Sequence, residues 1–373
     1  MTSRRAPQVL VCFDKFRGSV SAGAAGAALV AGLVRAAPEV RATAVPIADG
    51  GEGTVDAFVG AGYARHSVVV TGPLGKPVTA DLAVHDGVAV VELAQASGLA
   101  LLGEHRDPMR ASTSGTGELI RRVLDLGCRR IVIAVGGSAS TDGGAGLLVA
   151  LGARLLDAKG APVAPGGAGL AQLARIDLSR LDPRLHDVDV VLASDVDNPL
   201  LGADGAAAVF GPQKGATPSQ TAELDAALAR FADALDAATG TTVRDAGGAG
   251  AAGGVGYGVL AGLGARRVGG ADFVLDQLGV DEYLQTATLV VTGEGRFDEQ
   301  SLRGKAPARV LDRAARHGVP AIVVAGDIAV AGDELRRHGV TARYSLVERA
   351  GSVARAMREA GPLLEEIGAE IVR

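Results

Sequence analysis

The sequence predicts an α/β protein built from two α/β domains, one of which is inserted into the other. Short apolar runs alternate with helical patterns at both ends of the chain, as they do in parallel βαβ units. The middle of the chain has shorter apolar pieces separated by glycine turns, which favour a mixed sheet. The 373 residues are 48% hydrophobic and contain no tryptophan, so two cores can be packed mainly from alanine, valine and leucine.

The two ends of the chain predict a domain with a mainly parallel sheet, formed by residues 1–66 and 287–373. Its first helix stops before Pro38, because proline cannot continue a helix. The apolar runs predict strands at 8–13, 42–47, 289–292, 321–325 and 344–347, and helices are predicted at about 19–37, 305–317 and 333–338.

The middle of the chain predicts an inserted domain with a mixed sheet, formed by residues 67–286. The sequence Thr-Pro-Ser-Gln from Thr217 is a capping box with proline at the first helical position, so a long helix begins there. The other predicted elements are strands at 68–70, 82–84, 88–93, 131–135 and 188–193, and helices at 116–126 and 143–157.

Composition excludes several classes of protein. The formal net charge of −5 argues against a nucleic-acid partner, for which a basic surface would be expected. Cys12 and Cys128 are far apart and predict buried thiols in a reducing compartment.

The charged start of the chain precedes an apolar run of only residues 9–13, which is too short for a secretion signal. No apolar run spans a membrane, so a cytoplasmic protein is predicted. A monomer and a homo-oligomer both remain open.

The segment 293–305 is the strongest candidate for a ligand site. A predicted strand runs into Gly293, and charged residues follow on glycine-flanked backbone: Glu294, Arg296, Asp298, Arg303 and Lys305. Open α/β sheets present ligand sites at the carboxyl ends of their strands. Carboxylates beside cations suit a phosphate with its Mg²⁺, because the metal prefers oxygen and phosphoryl oxygens prefer Arg or Lys. The alternative is a surface turn that needs only glycine and solvated charge.

A second candidate is the glycine-rich loop 136–144, which links a predicted strand to a predicted helix. Free N–H groups at the start of that helix favour an anion, with Gly136, Gly137 and Ser138 close by. The alternative is an ordinary helix start capped by Asp142. The segment 112–118, with Ser114 and Thr116, has the same layout and the same alternative.

Asp195 and Asp197 follow the predicted strand 188–193. Both carboxylates reach one metal ion if the loop curls, but Asp-Asn-Pro also initiates turns.

The phosphate-binding pattern G-x-x-x-x-G-K-[ST] is absent, because Ala306 follows Lys305. A G-x-G-x-x-G pattern at 248–253 is not preceded by a strand, so a dinucleotide-binding dehydrogenase is disfavoured.

Five segments together resemble the bacterial glycerate kinase family that forms 2-phosphoglycerate. They are Asp14-Lys-Phe-Arg-Gly-Ser-Val-Ser-Ala22, Ile47-Ala-Asp-Gly-Gly-Glu-Gly-Thr54, 136–152, 195–215 and 292–307. The resemblance runs in order from about residue 8 to the C-terminus. Arg17 stands where lysine is more frequent, and Thr141 stands where asparagine is common. The resemblance implies ATP as donor, Mg²⁺ as cofactor, D-glycerate as acceptor, and a site in a cleft between the domains.

Roles for single residues follow from the needs of phosphoryl transfer, which are charge neutralisation, positioning and a base. The hypotheses are Asp195, Asp197 and Asp298 as metal ligands, Asp49 as base, and Arg296 and Lys305 as catalytic cations. Phosphate- and substrate-binding residues are Lys15, Arg17, Ser114, Thr116, Gly136, Gly137, Ser138, Asp142, Lys214 and Glu294. A kinase of another small hydroxy acid and a non-catalytic ligand-binding protein remain alternatives.

Overall fold

The computed structural model describes residues 7–302 and 304–373. Arg303 and the charged start of the chain lie outside the described residues. Contacts divide the chain into a first unit of Met1–Asp49, Asp56–Gly62 and Ala271–Arg373, and a second unit of Gly50–Val55 and Tyr63–Gly270. The domain bounds 1–66 with 287–373 and 67–286, and the site in a cleft between domains, stay predictions.

The strands follow one another along the described chain with these bounds: β1 Gln8–Phe13, β2 Arg41–Ala44, β3 Ala64–Thr71, β4 Pro77–His85, β5 Val88–Glu92, β6 Arg130–Ala134, β7 Arg154–Leu156, β8 Arg175–Asp177, β9 Asp189–Ala193, β10 Arg266–Val268, β11 Leu289–Gly293, β12 Arg296–Phe297, β13 Ala321–Ala325, β14 Asp327–Ile328 and β15 Val340–Ser345.

The α-helices have these bounds: α1 Ala22–Ala36, α2 Thr54–Gly60, α3 Leu93–Ser97, α4 Ser114–Asp125, α5 Ala145–Ala150, α6 Ala206–Phe210, α7 Pro218–Thr239, α8 Ala251–Leu263, α9 Gly270–Gln277, α10 Val280–Leu284, α11 Ala306–Arg316, α12 Gly332–Arg337, α13 Leu346–Ala350, α14 Val353–Arg358 and α15 Ala360–Ile371. Short 3₁₀ turns cover Leu99–Leu102, Gly167–Gln172, Pro183–Asp187 and Pro212–Lys214.

The first unit contains a sheet in the order β15-β13-β11-β1-β2, in which every pairing is parallel. Helices α1 and α15 pack very closely. A Cβ atom at Gly32 would lie 1.9 Å from the carbonyl oxygen of Glu365, so this contact requires glycine. The core between them includes Leu29, Leu33 and Ile367. Register pairs Phe13 with Gly293, so β1 and β11 end side by side.

The second unit contains a sheet in the order β10-β9-β6-β5-β4-β3. Strands β5, β6, β9 and β10 are parallel, whereas β3, β4 and β5 form an antiparallel meander. The parallel and mixed sheets confirm the α/β class predicted from the sequence.

Several element predictions are confirmed, and others need correction. Strands 8–13 and 321–325 are as predicted, and the capping box at Thr217 begins a helix that runs to Thr239. The predicted strand 42–47 is shorter because Pro46 has no N–H, although Ile47 still donates to the Phe13 carbonyl over 2.9 Å.

Two predicted elements are wrong in part. The helix predicted at 143–157 ends at Ala150, because Gly152 takes a φ of +108° and β7 follows. The strand predicted at 344–347 ends at Ser345, whose hydroxyl accepts the Glu348 N–H and starts α13. Among the described residues, no helix is both long enough and apolar enough to cross a membrane.

Candidate active site

The strand order of the first unit indicates a candidate position for a ligand. The chain leaves β1 towards β2 on one side, and the remaining strands lie on the other side of β1, beginning with β11. In open α/β sheets the crevice at such a reversal, beyond the carboxyl ends of the strands, is the usual ligand site. Asp14 and Glu294 are the residues that follow β1 and β11 at this point.

A cavity of about 510 Å³ lies at this switch point. All of its lining residues belong to the first unit. It brings together seven of the predicted site residues: Lys15, Arg17, Asp49, Glu294, Arg296, Asp298 and Lys305. The other lining residues are Asp14, Phe16, Ser19, Gly295, Gly326, Asp327, Leu346, Val347, Val353, Ala356 and Met357.

Short backbone links hold the loops of this cavity in place. Strands β12 and β14 form a two-residue parallel ladder that aligns Arg296 with Asp327. The Gly295 N–H donates to the Lys15 carbonyl over 3.2 Å. A Cβ atom at Gly293 would lie 1.7 Å from the Val324 carbonyl oxygen, so the chain needs glycine where β11 ends.

Asp14 is a nearly buried carboxyl at the cavity, 4% exposed. Its Oδ1 accepts the Lys15 N–H over 2.6 Å and lies 3.7 Å from Lys15 Nζ. Burial raises the pKa of Asp14 to about 7, against the Lys15 charge, and the charges of Asp49 and Glu294 add to the rise. Asp14 was not among the predicted site residues, although a charged residue directly after a buried strand was available as the signal.

Glu294 and Lys305 form an ion pair with 3.6 Å between Glu294 Oε2 and Lys305 Nζ. The other oxygen, Oε1, is buried and has no hydrogen-bond partner among the described residues. Burial raises the pKa of Glu294, while Ser301 and Lys305 oppose that rise. Lys305 directly precedes α11, where the helix dipole disfavours a cation unless an anion is near.

Arg296 and Asp298 lie at the more solvent-accessible part of the cavity. Arg296 Nε is 3.9 Å from Asp298 Oδ2, and the arginine side chain is 69% exposed. Asp298 also accepts the Gln300 N–H over 3.0 Å. Arg17 is exposed, and Asp49 is half-buried.

In the second unit, a buried carboxylate binds backbone N–H groups in and near the predicted anion loop 136–144. Asp142 is completely buried, and its carboxylate accepts the N–H groups of Thr113 at 2.9 Å, Gly144 at 3.1 Å and Gly146 at 3.1 Å. Burial raises the pKa of Asp142, and these hydrogen bonds oppose the rise. The N–H groups at the start of α5 are therefore used by the protein's own carboxylate, which favours the capping interpretation.

Lys214 is also buried, with 1% exposure. Its Nζ donates to Ser138 Oγ over 2.8 Å and to the Ser140 carbonyl over 2.5 Å. Burial lowers the pKa of Lys214 to about 7, and Asp142 opposes that shift. Lys214 thus fastens the loop 136–144, while Gly137 at the start of that loop is exposed.

Ser114 and Thr116 have hydroxyl partners within the second unit. Thr116 Oγ1 is 2.8 Å from Ser97 Oγ and is buried, and Ser114 Oγ is 2.9 Å from Ser112 Oγ. Ser114 also lines a second, mainly apolar cavity of about 210 Å³.

The three proposed metal ligands are distributed over both units. Asp195 accepts the Gly270 N–H over 2.9 Å, and Asp197 lies 2.7 Å from Arg267 Nη2. These two aspartates belong to the second unit, whereas Asp298 belongs to the first. Within residues 7–302 and 304–373, no group of three or more His, Cys, Asp or Glu side chains has metal-binding geometry.

An open parallel sheet with cations and carboxylates at its switch point is typical of α/β enzymes that bind anionic substrates. Residues 9–373 match the model of the glycerate kinase family. A glycerate kinase of Bacillus subtilis (strain 168) is 45% identical over 368 residues, which cover 98% of this chain and 96% of that protein.

Two further comparisons also match the chain to glycerate kinases. A glycerate 2-kinase of Escherichia coli (strain K12) is 42% identical over 358 residues, covering 95% of this chain and 94% of that protein. A crystal structure from Salmonella typhimurium LT2, assigned as glycerate kinase 2, has a TM-score of 0.86 at 41% identity and covers 98% of this chain and 97% of that one. The chain belongs to the glycerate kinase family, and it is therefore a kinase.

Proposed function

We propose that this kinase transfers the γ-phosphoryl group of ATP to the 2-hydroxyl of D-glycerate and forms 2-phosphoglycerate. The family and the relative named glycerate 2-kinase support this reaction. The observation that carries it is the gathering of Lys15, Arg296 and Lys305 with several carboxylates in one cavity at the switch point. Glycerate and ATP are both anionic, so their binding needs cations.

The cavity contains cations and carboxylates of the kinds that phosphoryl transfer uses. Lys305 and Arg296 would neutralise the transferring phosphoryl group or the glycerate carboxylate. Asp49 would accept the proton of the attacking hydroxyl. Lys15 and Arg17 would add positive charge from the loop that follows β1. Lys305 is the strongest candidate, because its position before α11 favours a bound anion.

The residues fit Mg²⁺ as the cofactor. Mg²⁺ prefers oxygen and usually binds through one or two carboxylates together with substrate phosphates, so a cluster of three protein ligands is not required. The buried Glu294 Oε1 without a hydrogen-bond partner is an oxygen of the right kind, and Asp298, Asp195 and Asp197 remain the proposed ligands. When bound, the ion would neutralise negative charge on the phosphate groups.

A coupled assay tests the proposed reaction. The enzyme is incubated with ATP, Mg²⁺ and D-glycerate, and enolase with pyruvate kinase converts any 2-phosphoglycerate to pyruvate. We expect pyruvate without added phosphoglycerate mutase. The metal requirement is measured separately, as ADP formed with and without EDTA before the coupling enzymes are added, because enolase and pyruvate kinase themselves need Mg²⁺. A signal that needs the mutase would assign the 3-hydroxyl instead. Turnover with another small hydroxy acid but not with glycerate would overturn the substrate.

A further inference from the structure

We propose that the cavity of the first unit is the ATP site, and that adenosine packs against an apolar wall formed by Leu346, Val347, Val353, Ala356 and Met357. The phosphate groups would then point to the charged end of the same cavity. This inference rests on ATP being the phosphoryl donor. It differs from the sequence-based hypothesis that included residues of the loop 136–144 and Lys214 among the phosphate-binding residues.

The first argument is that the cavity has two chemically different ends. Helices α13 and α14 supply apolar side chains, and the loops after β1 and β11 supply charges. Val353 is 58% exposed and Met357 is 43% exposed, and their spacing of four residues puts them on one face of α14. Exposed apolar side chains that line a cavity indicate a ligand with an apolar part.

The second argument comes from the chemistry of the two substrates. Every carbon of glycerate carries oxygen, so glycerate has almost no apolar surface for such a wall. ATP joins a flat base to an anionic chain, which matches the two ends of the cavity. Its volume of about 510 Å³ lies within the range of roughly 300–1,000 Å³ for pockets that hold ligands of this size.

The third argument is that the loop 14–19 contacts the apolar wall of the cavity and also carries Lys15 of its charged end. Ser19 Oγ donates to the Met357 carbonyl over 2.6 Å. A Cβ atom at Gly18 would lie 3.1 Å from Met357 Cε, so the methionine side chain covers the loop that also carries Lys15. The distance between the apolar wall and this cation is therefore fixed by the loop 14–19.

The fourth argument is that several polar groups of the alternative phosphate site already bind one another. The N–H groups of Gly144 and Gly146 bind the Asp142 carboxylate, and Lys214 donates to Ser138 and to the Ser140 carbonyl. A nucleotide phosphate there would meet a buried carboxylate, which repels it.

The test compares two identical substitutions in the first unit. Val353→Asp puts a carboxylate on the proposed wall. Val34→Asp is the control, because Val34 is 40% exposed on α1 and does not line the cavity. Calorimetry measures binding of ADP and of inorganic tripolyphosphate without glycerate, and steady-state kinetics gives KM for ATP and for glycerate. Both variants are checked for unchanged thermal unfolding.

We expect Val353→Asp to weaken ADP binding and to raise KM for ATP by about tenfold or more. Tripolyphosphate binding and KM for glycerate should change several-fold less than ADP binding, because the new carboxylate acts on these anions only through its charge, and Val34→Asp should match the wild type. Unchanged ADP binding in Val353→Asp, with normal glycerate phosphorylation, would overturn the adenosine site and leave the proposed reaction intact. A raised KM for glycerate alone would assign the wall to the acceptor. A wild-type enzyme that does not phosphorylate glycerate from ATP would instead refute the proposed function.

Discussion

Lys305 of the first unit lies at a cavity and is partly exposed, whereas Lys214 of the second unit is buried and donates its hydrogen bonds to the loop 136–144. The Lys305 side chain is 34% exposed. Lys214 is only 1% exposed, and it donates to Ser138 and to the Ser140 carbonyl. Both lysines adjoin a glycine in a loop. The difference shows that the same local pattern places one lysine at a cavity and another in a buried structural cross-link.

Glu294 and Asp142 differ in how far their carboxylate oxygens find hydrogen-bond partners within the protein. At the switch point of the first unit, Glu294 Oε1 is buried without a partner among the described residues, which is costly unless a ligand completes it. In the second unit Asp142 accepts three backbone N–H groups and the Thr113 hydroxyl. A fully bonded carboxylate has no remaining need for a ligand.

The largest expected effect is on stability, from Asp142→Ala. Removal of the buried carboxylate leaves the N–H groups of Thr113, Gly144 and Gly146 without their acceptor. Unsatisfied buried groups and a lost charged acceptor cost about 3 kcal/mol in total. Urea denaturation measures the free energy of unfolding, with Asp157→Ala in an exposed turn as the control. A loss below about 1 kcal/mol would mean that Asp142 does not organise this loop.

The next effect is on catalysis, from Lys305→Ala. Loss of a cation that stabilises transition-state charge lowers kcat/KM by about 10²-fold. Lys159→Ala is the matched control, since Lys159 also adjoins a glycine but lies in an exposed turn. It should change kcat/KM by less than about twofold. Equal, small effects in both variants would remove Lys305 from the site.

The proposed metal ligands predict a third effect. Asp195→Asn should lower kcat by about 10²-fold if the carboxylate holds Mg²⁺ and stabilises charge in the transition state. Asp197→Asn should have a smaller effect, because the Asp197 carboxylate already pairs with Arg267. Titration of activity with Mg²⁺ checks both variants. Normal Mg²⁺ dependence in both would leave these aspartates as turn residues.

The most gradual effect is the pH dependence that Lys214 causes, at most about 1.4 kcal/mol per pH unit. Its pKa of about 7 in the folded protein lies below the ordinary value of about 10.4 in an unfolded chain. Between these values the unfolded chain binds more protons, so the folded state gains stability as pH rises.

The comparison with Lys214→Met measures this contribution. The free energy of unfolding of the wild type, relative to that variant, should increase from pH 7 to pH 9 by up to about 1.4 kcal/mol per pH unit. Urea denaturation at several pH values gives both energies. A difference that stays constant, or falls, would contradict the buried, neutral form of Lys214.

The sequence by itself determined much of the fold, because local patterns fix local structure. Apolar runs located β1 and β13 to the residue, and the Thr217 capping box located the start of α7. Glycines and charges after apolar runs identified Lys15, Glu294 and Lys305 as candidates. Lys15 and Glu294 follow strands, and strand ends of a parallel sheet meet at one edge, whereas Lys305 directly precedes α11.

The tertiary structure decided what the sequence could not. Strand β11 lies beside β1 although 275 residues separate Phe13 and Leu289 along the chain, and this pairing brings the loops after both strands to the cavity. The direction of each loop side chain depends on distant neighbours, so Asp142 and Lys214 turned out to be buried, and Asp14 lies at the cavity. The apolar wall on α14 was not predicted either, because six residues carry too weak a periodic signal. Loop chemistry is local, but burial is a property of the whole packed unit.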